Sequence, residues 1–180
     1  MMSSVRELVN ALKGHLATFG YSECVKNVIG NVNFAAVLTS PKRPKKLLCA
    51  VADLPKDAAD ARTTAEFLDR IRRGLAKEFV RIPWPGRLGT HLVLLADHAT
   101  CERLRGKEAG LIDISPKHVN VLLGMILVDV ESLCTRSATT WRLMGTEEQF
   151  REIQAAVEQW CQCRRSQDHP PSPGTWSMRV

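Results

Sequence analysis

Apolar residues recur at helical spacing in three segments of the chain, at residues 5–19, 68–79 and 150–160. In the first segment they fall within about 100° of arc, the width of a stripe that faces a core. Ser4 and Glu7 form a capping-box pair before that stripe, and Gly20 is a typical C-cap. The pair Thr63 and Glu66 predicts the start of the second helix, and Thr146 predicts the N-cap of the last one.

Between the first two helices, apolar runs at residues 23–29, 32–39 and 46–54 predict three strands. Short connections at residues 30–31 and 41–45 predict that these strands form an antiparallel meander. The second and third runs are almost continuously apolar, which is typical of strands that are covered on both faces.

After the second helix the pattern predicts shorter elements. Residues 91–96 predict a fourth strand, residues 100–105 one or two helical turns, and residues 110–114 a further strand. Residues 119–133 fit either a helix or a strand. The β-branched content favours a strand at residues 119–123, and residues 124–134 stay open.

This order predicts an α/β (α+β) fold. We expect a mixed sheet with an antiparallel three-strand meander, one helix before it, a crossover helix to a fourth strand, and a C-terminal helix. Residues 1–165 are predicted to form a single globular domain. Residues 166–180 are rich in proline and polar residues, which predicts a disordered tail.

Composition narrows the functional classes only slightly. The chain has 44% hydrophobic residues and a net charge of +6. This excess of positive charge allows a nucleic-acid or acidic partner without requiring one. No apolar run approaches the roughly 20 residues that a membrane span needs, and no signal peptide is recognisable. We therefore predict a cytoplasmic protein whose six cysteines are reduced.

The densest basic cluster lies in the loop between the second and third strands. It consists of Lys42, Arg43, Lys45 and Lys46. Such a loop can contact phosphates without reading base sequence, although a solvated turn has the same composition. Aromatic residues are only 6% of the chain and are not interleaved with these charges, which disfavours a platform that stacks single-stranded bases.

The element order, together with the run HLVLLADHATCERLRGKEAGLIDI at residues 91–114, resembles the restriction-endonuclease-like core of the PD-(D/E)xK type. The resemblance covers residues 4–123. Active members of that family bind a divalent metal through an acid on the second strand and an acid-x-Lys pair on the third. Here Asn33 and Pro55 occupy the positions of the acid and the lysine. The resemblance therefore implies a vestigial site at Asn33 and Asp53, with no metal cofactor.

Other polar residues form weaker patterns. Asp97, His98 and Cys101 lie near one strand end, and each is a type of residue that can bind a metal. Structural zinc sites, however, usually have four protein ligands. The alternative is that Asp97 caps the next turn and Cys101 is a core residue. Asp53, His91, Asp97 and His98 are the candidates if the chain is an enzyme with a dispersed site.

Three hypotheses follow from the sequence. The first is a catalytically silent nuclease-like domain that binds nucleic acid or a protein partner. The second is a protein-interaction domain of the chaperone or adaptor kind, with no role in nucleic-acid binding. The third is an enzyme that uses the dispersed candidates. No cofactor is expected.

Overall fold

The computed structural model describes residues 2–40, 46–58, 60–80, 88–112, 119–140 and 145–168. Five helices lie in these ranges: α1 (Met2–Leu16), α2 (Ala61–Phe79), α3 (His98–Arg103), α4 (Glu108–Leu111) and α5 (Glu147–Asp168). Seven strands accompany them: β1 (Ser22–Glu23), β2 (Val28–Ile29), β3 (Val32–Ser40), β4 (Lys46–Asp53), β5 (Leu88–Ala96), β6 (Asn120–Asp129) and β7 (Thr135–Thr139). None of these helices is long and apolar enough to cross a membrane.

The strands form one mixed sheet in the order β1-β3-β4-β5-β6-β7, with β2 also paired to β3. β3 and β4 are antiparallel, and β4, β5 and β6 run parallel to one another. β7 returns antiparallel along β6. Parallel neighbours need a crossover connection, and α2 supplies the first of these while α3 and α4 supply the second. The predicted mixed α/β fold is confirmed.

Helices cover both faces of the sheet. On one face, Leu12 of α1 and Ile153 of α5 pack with Val51 and Val93. On the other face, α2 packs through Ile71 and its neighbours against alternate residues of the same strands. Every residue of β5 and β6 is buried. This double coverage explains why the central strands are almost continuously apolar in sequence.

Two predicted strands differ from the structure. Residues 23–29 are not continuous, because β1 and β2 are two residues each and are separated by a loop in which Val25 is 99% exposed. Residues 110–114 do not begin a strand, since Gly110 and Leu111 belong to α4; residues 113–114 lie outside the described ranges. A short apolar run cannot distinguish a strand from a helical turn, and tertiary contacts decided both cases.

The starts of the first two helices also differ from the predicted ones. α1 begins before Ser4, so that residue is not its N-cap. The N-cap of α2 is Asp60, whose carboxylate accepts a hydrogen bond from the backbone N–H of Thr63 (2.8 Å). Asp60 adopts the extended backbone conformation that an N-cap needs. Gly20 ends the first helical segment in a left-handed conformation (φ 73°), as predicted.

Residues 124–134, for which the sequence favoured neither a helix nor a strand, form a strand as far as Asp129. β7 was not predicted because its sequence TRSAT has no apolar alternation, which suits an edge strand that is partly exposed. The last helix reaches Asp168, three residues beyond the predicted domain boundary at Arg165. The remainder of the predicted tail, residues 169–180, is outside the described part of the chain.

Candidate functional site

The two residues of the predicted vestigial site lie at the same end of adjacent strands. Phe34 of β3 is paired with Ala52 of β4. Asn33 precedes Phe34 and Asp53 follows Ala52, so an antiparallel register brings both to one edge of the sheet. Both side chains are exposed. The strand register therefore places Asn33 and Asp53 at neighbouring positions.

This edge offers few metal ligands. After Asp53 the backbone N–H of Leu54 donates to Leu95 O (2.8 Å), and the carbonyl of Pro55 accepts from Ala58 N (2.9 Å). Proline thus begins a turn at the position where the family has its lysine. Within the described ranges, no group of three or more His, Cys, Asp or Glu side chains could hold a metal ion. Mg²⁺ needs several convergent oxygen ligands, and one exposed carboxylate does not provide them.

Lys46 lies at the opposite end of β4 from Asp53. The strand is eight residues long, so the two residues are about 23 Å apart at a rise of about 3.3 Å per residue. Lys42, Arg43 and Lys45 of the same predicted cluster lie outside the described residues. Lys46 and Asp53 therefore do not share one cleft.

Lys46 instead contacts the last turn of α2. Its Nζ lies 4.8 Å from the centre of the Phe79 ring, a cation–π contact. The exposed side of α2 carries Arg70, Arg73 and Lys77. We call Lys46, Arg70, Arg73 and Lys77 the basic surface.

The basic surface retains unbalanced charge. Arg72 and Arg73 share the single carboxylate of Asp69. Lys46, Arg70 and Lys77 have no carboxylate partner among the described residues. Three of the four positive charges of the basic surface thus have no negative counterpart among the described residues. Because exposed ion pairs contribute little to stability, these side chains are available for an external anion.

The carboxyl ends of the parallel strands carry acids. Asp97, which follows β5, accepts a hydrogen bond from Thr100 N (2.8 Å) and caps α3, and this contact lowers the pKa of its carboxyl group. Cys101 is buried, and burial raises the pKa of its thiol to about 12. The alternative interpretation, in which Asp97 caps the next turn and Cys101 is a core residue, is therefore confirmed.

His91 is a core residue. It is fully buried, its ring stacks on Phe150 with centroids 5.5 Å apart, and burial lowers its pKa to about 3. Phe150 fits here because Gly124 has no side chain: a Cβ at that position would lie 2.5 Å from the Phe150 ring. The neutral imidazole of His91 therefore belongs to the interface between the sheet and α5 and does not reach the surface.

His98 is the only one of the four enzyme candidates that lies beside a described cavity. Its Nδ1 is 2.6 Å from Oδ2 of Asp129, the last residue of β6. A cavity of about 150 Å³ adjoins this pair, between α3, the β6–β7 turn and β7. Asp129, Ser132 and Arg136 were not predicted as site residues. The sequence pattern Asp129-x-x-Ser132 is typical of a turn in which the acid binds the following backbone.

Comparison with known protein families, with curated proteins and with solved structures finds no match for this chain. The function must therefore be argued from the two ends of the sheet themselves.

Proposed function

We propose that this chain is a catalytically silent, restriction-endonuclease-like domain that binds nucleic acid through the basic surface. The observation that carries the proposal is the unbalanced positive charge where Lys46 meets the end of α2. Lys46, Arg70 and Lys77 make no ion pair with the described residues that would explain them structurally, and Arg73 shares Asp69 with Arg72. A polyanion supplies the missing counter-charge.

The order of elements supports the nuclease-like part of the proposal. A helix precedes a group of antiparallel strands, and a crossover helix leads to a parallel strand. Asn33 and Asp53 occupy neighbouring positions at the carboxyl end of β4, where the resemblance expects metal ligands. Asn33 is not an acid and Pro55 is not a lysine, so catalysis is not part of the proposal.

The aromatic residues nearest the charges indicate phosphate contacts rather than base stacking. Phe79 lies under Lys46, and the guanidinium of Arg70 lies 5.5 Å from the centre of the Phe67 ring. Phe67 itself is buried. Neither ring is open to a base. Contacts of lysine and arginine with phosphate carry no sequence information, so binding is expected to be independent of sequence.

The test is fluorescence anisotropy with a labelled 20-base-pair duplex at low salt. The double variant Arg70→Glu/Lys77→Glu should raise the Kd at least tenfold, since each reversal replaces an attraction by a repulsion. Arg151→Glu is the matched control: Arg151 is an exposed helical arginine of α5, on the opposite face of the sheet. The control should change the Kd less than threefold.

Two results would contradict the proposal. Absence of binding by the wild-type chain at low salt would remove nucleic acid as the partner and leave an acidic protein as the remaining ligand for the basic surface. Equal weakening per reversed charge in the two variants would show that only the overall charge matters. Circular dichroism of each variant verifies that the fold is unchanged.

A further inference from the structure

The cavity beside His98 and Asp129 lies at the other end of the sheet from the basic surface. β5 and β6 end side by side here, with Ala96 paired to Asp129. Ligands of open α/β sheets commonly bind outside the carboxyl ends of parallel strands. Leu127 and the side chain of Cys101 contribute to the lining of the cavity, most of whose surface is apolar.

The carboxylate of Asp129 is fully occupied by the protein. Oδ1 accepts hydrogen bonds from the backbone N–H groups of Glu131 (2.9 Å) and Ser132 (3.1 Å). Oδ2 accepts from Ser132 Oγ (2.6 Å) and from His98 Nδ1 (2.6 Å). A carboxylate has about four acceptor positions, and all are filled. Asp129 therefore has no acceptor position left for a cationic ligand or a metal ion.

The charged residues on the other wall are paired with each other. Arg136 donates to Cys101 O (2.8 Å) and to Glu102 Oε1 (2.7 Å). Arg105 donates to the same Glu102 oxygen (2.6 Å). Glu108 adds a second carboxylate 3.7 Å from Arg136. Because these arginines already have carboxylate partners, the cavity does not present the uncompensated charge that a strongly anionic ligand would need.

One ring nitrogen remains free. An ionised Asp129 can only accept, so Nδ1 of His98 carries the shared hydrogen and Nε2 has no partner in the described part of the chain. Hydrogen bonding to Asp129 raises the pKa of His98, so Nε2 is a hydrogen-bond acceptor only at a pH above that pKa, where the ring is neutral. The same contact fixes the tautomer of the ring, as a carboxylate does for a histidine that exchanges protons.

We propose that this cavity binds a small, uncharged planar ring that carries one acidic O–H or N–H group, with Nε2 of His98 accepting the hydrogen bond. A cavity of about 150 Å³ has the size that holds a benzene-sized molecule. The ring packs against Leu127 and Cys101, and its polar group meets the imidazole. This site does not depend on nucleic-acid binding, because it lies at the other end of the strands.

The test uses phenol and benzene as a matched pair of probes, since they differ only in the hydroxyl group. Imidazole nitrogen signals are followed by NMR during titration of the full chain at about pH 9, where imidazoles are neutral and phenol, with a pKa of about 10, keeps its hydrogen. Phenol should shift the His98 signals saturably, with a Kd of about 1–10 mM. Benzene should bind at least about fivefold more weakly, because one hydrogen bond is missing. His15, which lies between α1 and α5, should not shift.

A His98→Ala variant should weaken phenol binding about fivefold and leave benzene binding unchanged. The proposal is overturned if phenol gives no saturable shift of His98 up to about 20 mM. It is also overturned if benzene binds as tightly as phenol, which would mean an apolar hole in which His98 has no role. The comparison of the two probes on the wild-type chain stands even if the variant is unstable.

Discussion

The two ends of the parallel strands use their charged residues differently. At the carboxyl end, Asp97 and Asp129 accept hydrogen bonds from the backbone N–H groups of residues two or three positions later in the chain, and so stabilise the fold. At the amino end, Lys46 and Lys77 make no ion pair with the described residues. A charged residue is therefore informative about function only when its partners are known, because a satisfied carboxylate and a free one look alike in sequence.

The largest expected effect is a difference in the free energy of unfolding between variants of two acids at the carboxyl end, Asp129 and Asp53. Asp129→Ala removes four hydrogen bonds at a residue that is 4% exposed, and it takes the acceptor away from the backbone N–H groups of Glu131 and Ser132. We expect it to lower the free energy of unfolding by about 2–4 kcal/mol. Asp53→Ala at an exposed position should cost less than about 0.5 kcal/mol. Urea denaturation of both variants measures the difference, and equal losses would contradict the comparison.

A second prediction concerns the pH dependence that His91 introduces. Its pKa is about 3 in the folded chain and about 6.5 in the unfolded chain. The unfolded chain therefore binds a proton first, so the stabilising effect of the neutral ring is present above about pH 6.5 and is lost as the pH falls. Between about pH 7 and pH 5 this amounts to about 2 kcal/mol.

Comparison with His91→Leu isolates this contribution of His91. The wild-type chain should lose about 2 kcal/mol more than the variant over that pH interval. His98 and His15 act in the opposite direction, because contacts with Asp129 and with Gln159 and Glu152 raise their pKa values. Both histidines are present in the wild-type chain and in the variant, so their contributions cancel when the two pH profiles are subtracted. Parallel pH profiles of the two proteins would show that His91 is not buried and neutral.

At the amino end the predicted effect is on binding and not on stability. If the basic surface makes four phosphate contacts, log Kobs should fall with log salt with a slope of about −3 to −4. Lys77→Ala should reduce the magnitude of that slope by about 1. Its free energy of unfolding should stay within about 0.5 kcal/mol of wild type. An unchanged slope would mean that Lys77 makes no phosphate contact.

The smallest expected effect is on nuclease activity. Incubation of the chain with plasmid and Mg²⁺ or Mn²⁺ should give no cleavage, because Asn33 and Pro55 replace the acid and the lysine that the family uses. Asp53→Ala should behave like wild type in this assay. Metal-dependent cleavage that disappears in Asp53→Ala would show that Asp53 is a working metal ligand and would overturn the silent-domain proposal.

Local pattern was a good guide to the central elements and a poor guide to the edges. The stripe at Leu8, Leu12 and Leu16 is buried against the sheet as its spacing predicted. The predictions of a continuous strand at residues 23–29 and of a strand beginning at residue 110 were wrong, because a short apolar run has the same composition in a strand, a helical turn or an exposed loop. β7 has no apolar pattern, and its pairing with β6 holds it in the sheet.

The sequence by itself determined the layers of this protein and the residue identities on which the silent-domain proposal depends. Periodic burial and the identities of Asn33 and Pro55 are local properties that can be read along the chain. Only the tertiary structure decided which charged residues are free. The partners of Asp129 include His98, 31 positions away, and Lys46 meets Phe79 across a helix and a loop. Such pairings depend on strand register and helix placement, which no short segment of the chain encodes alone.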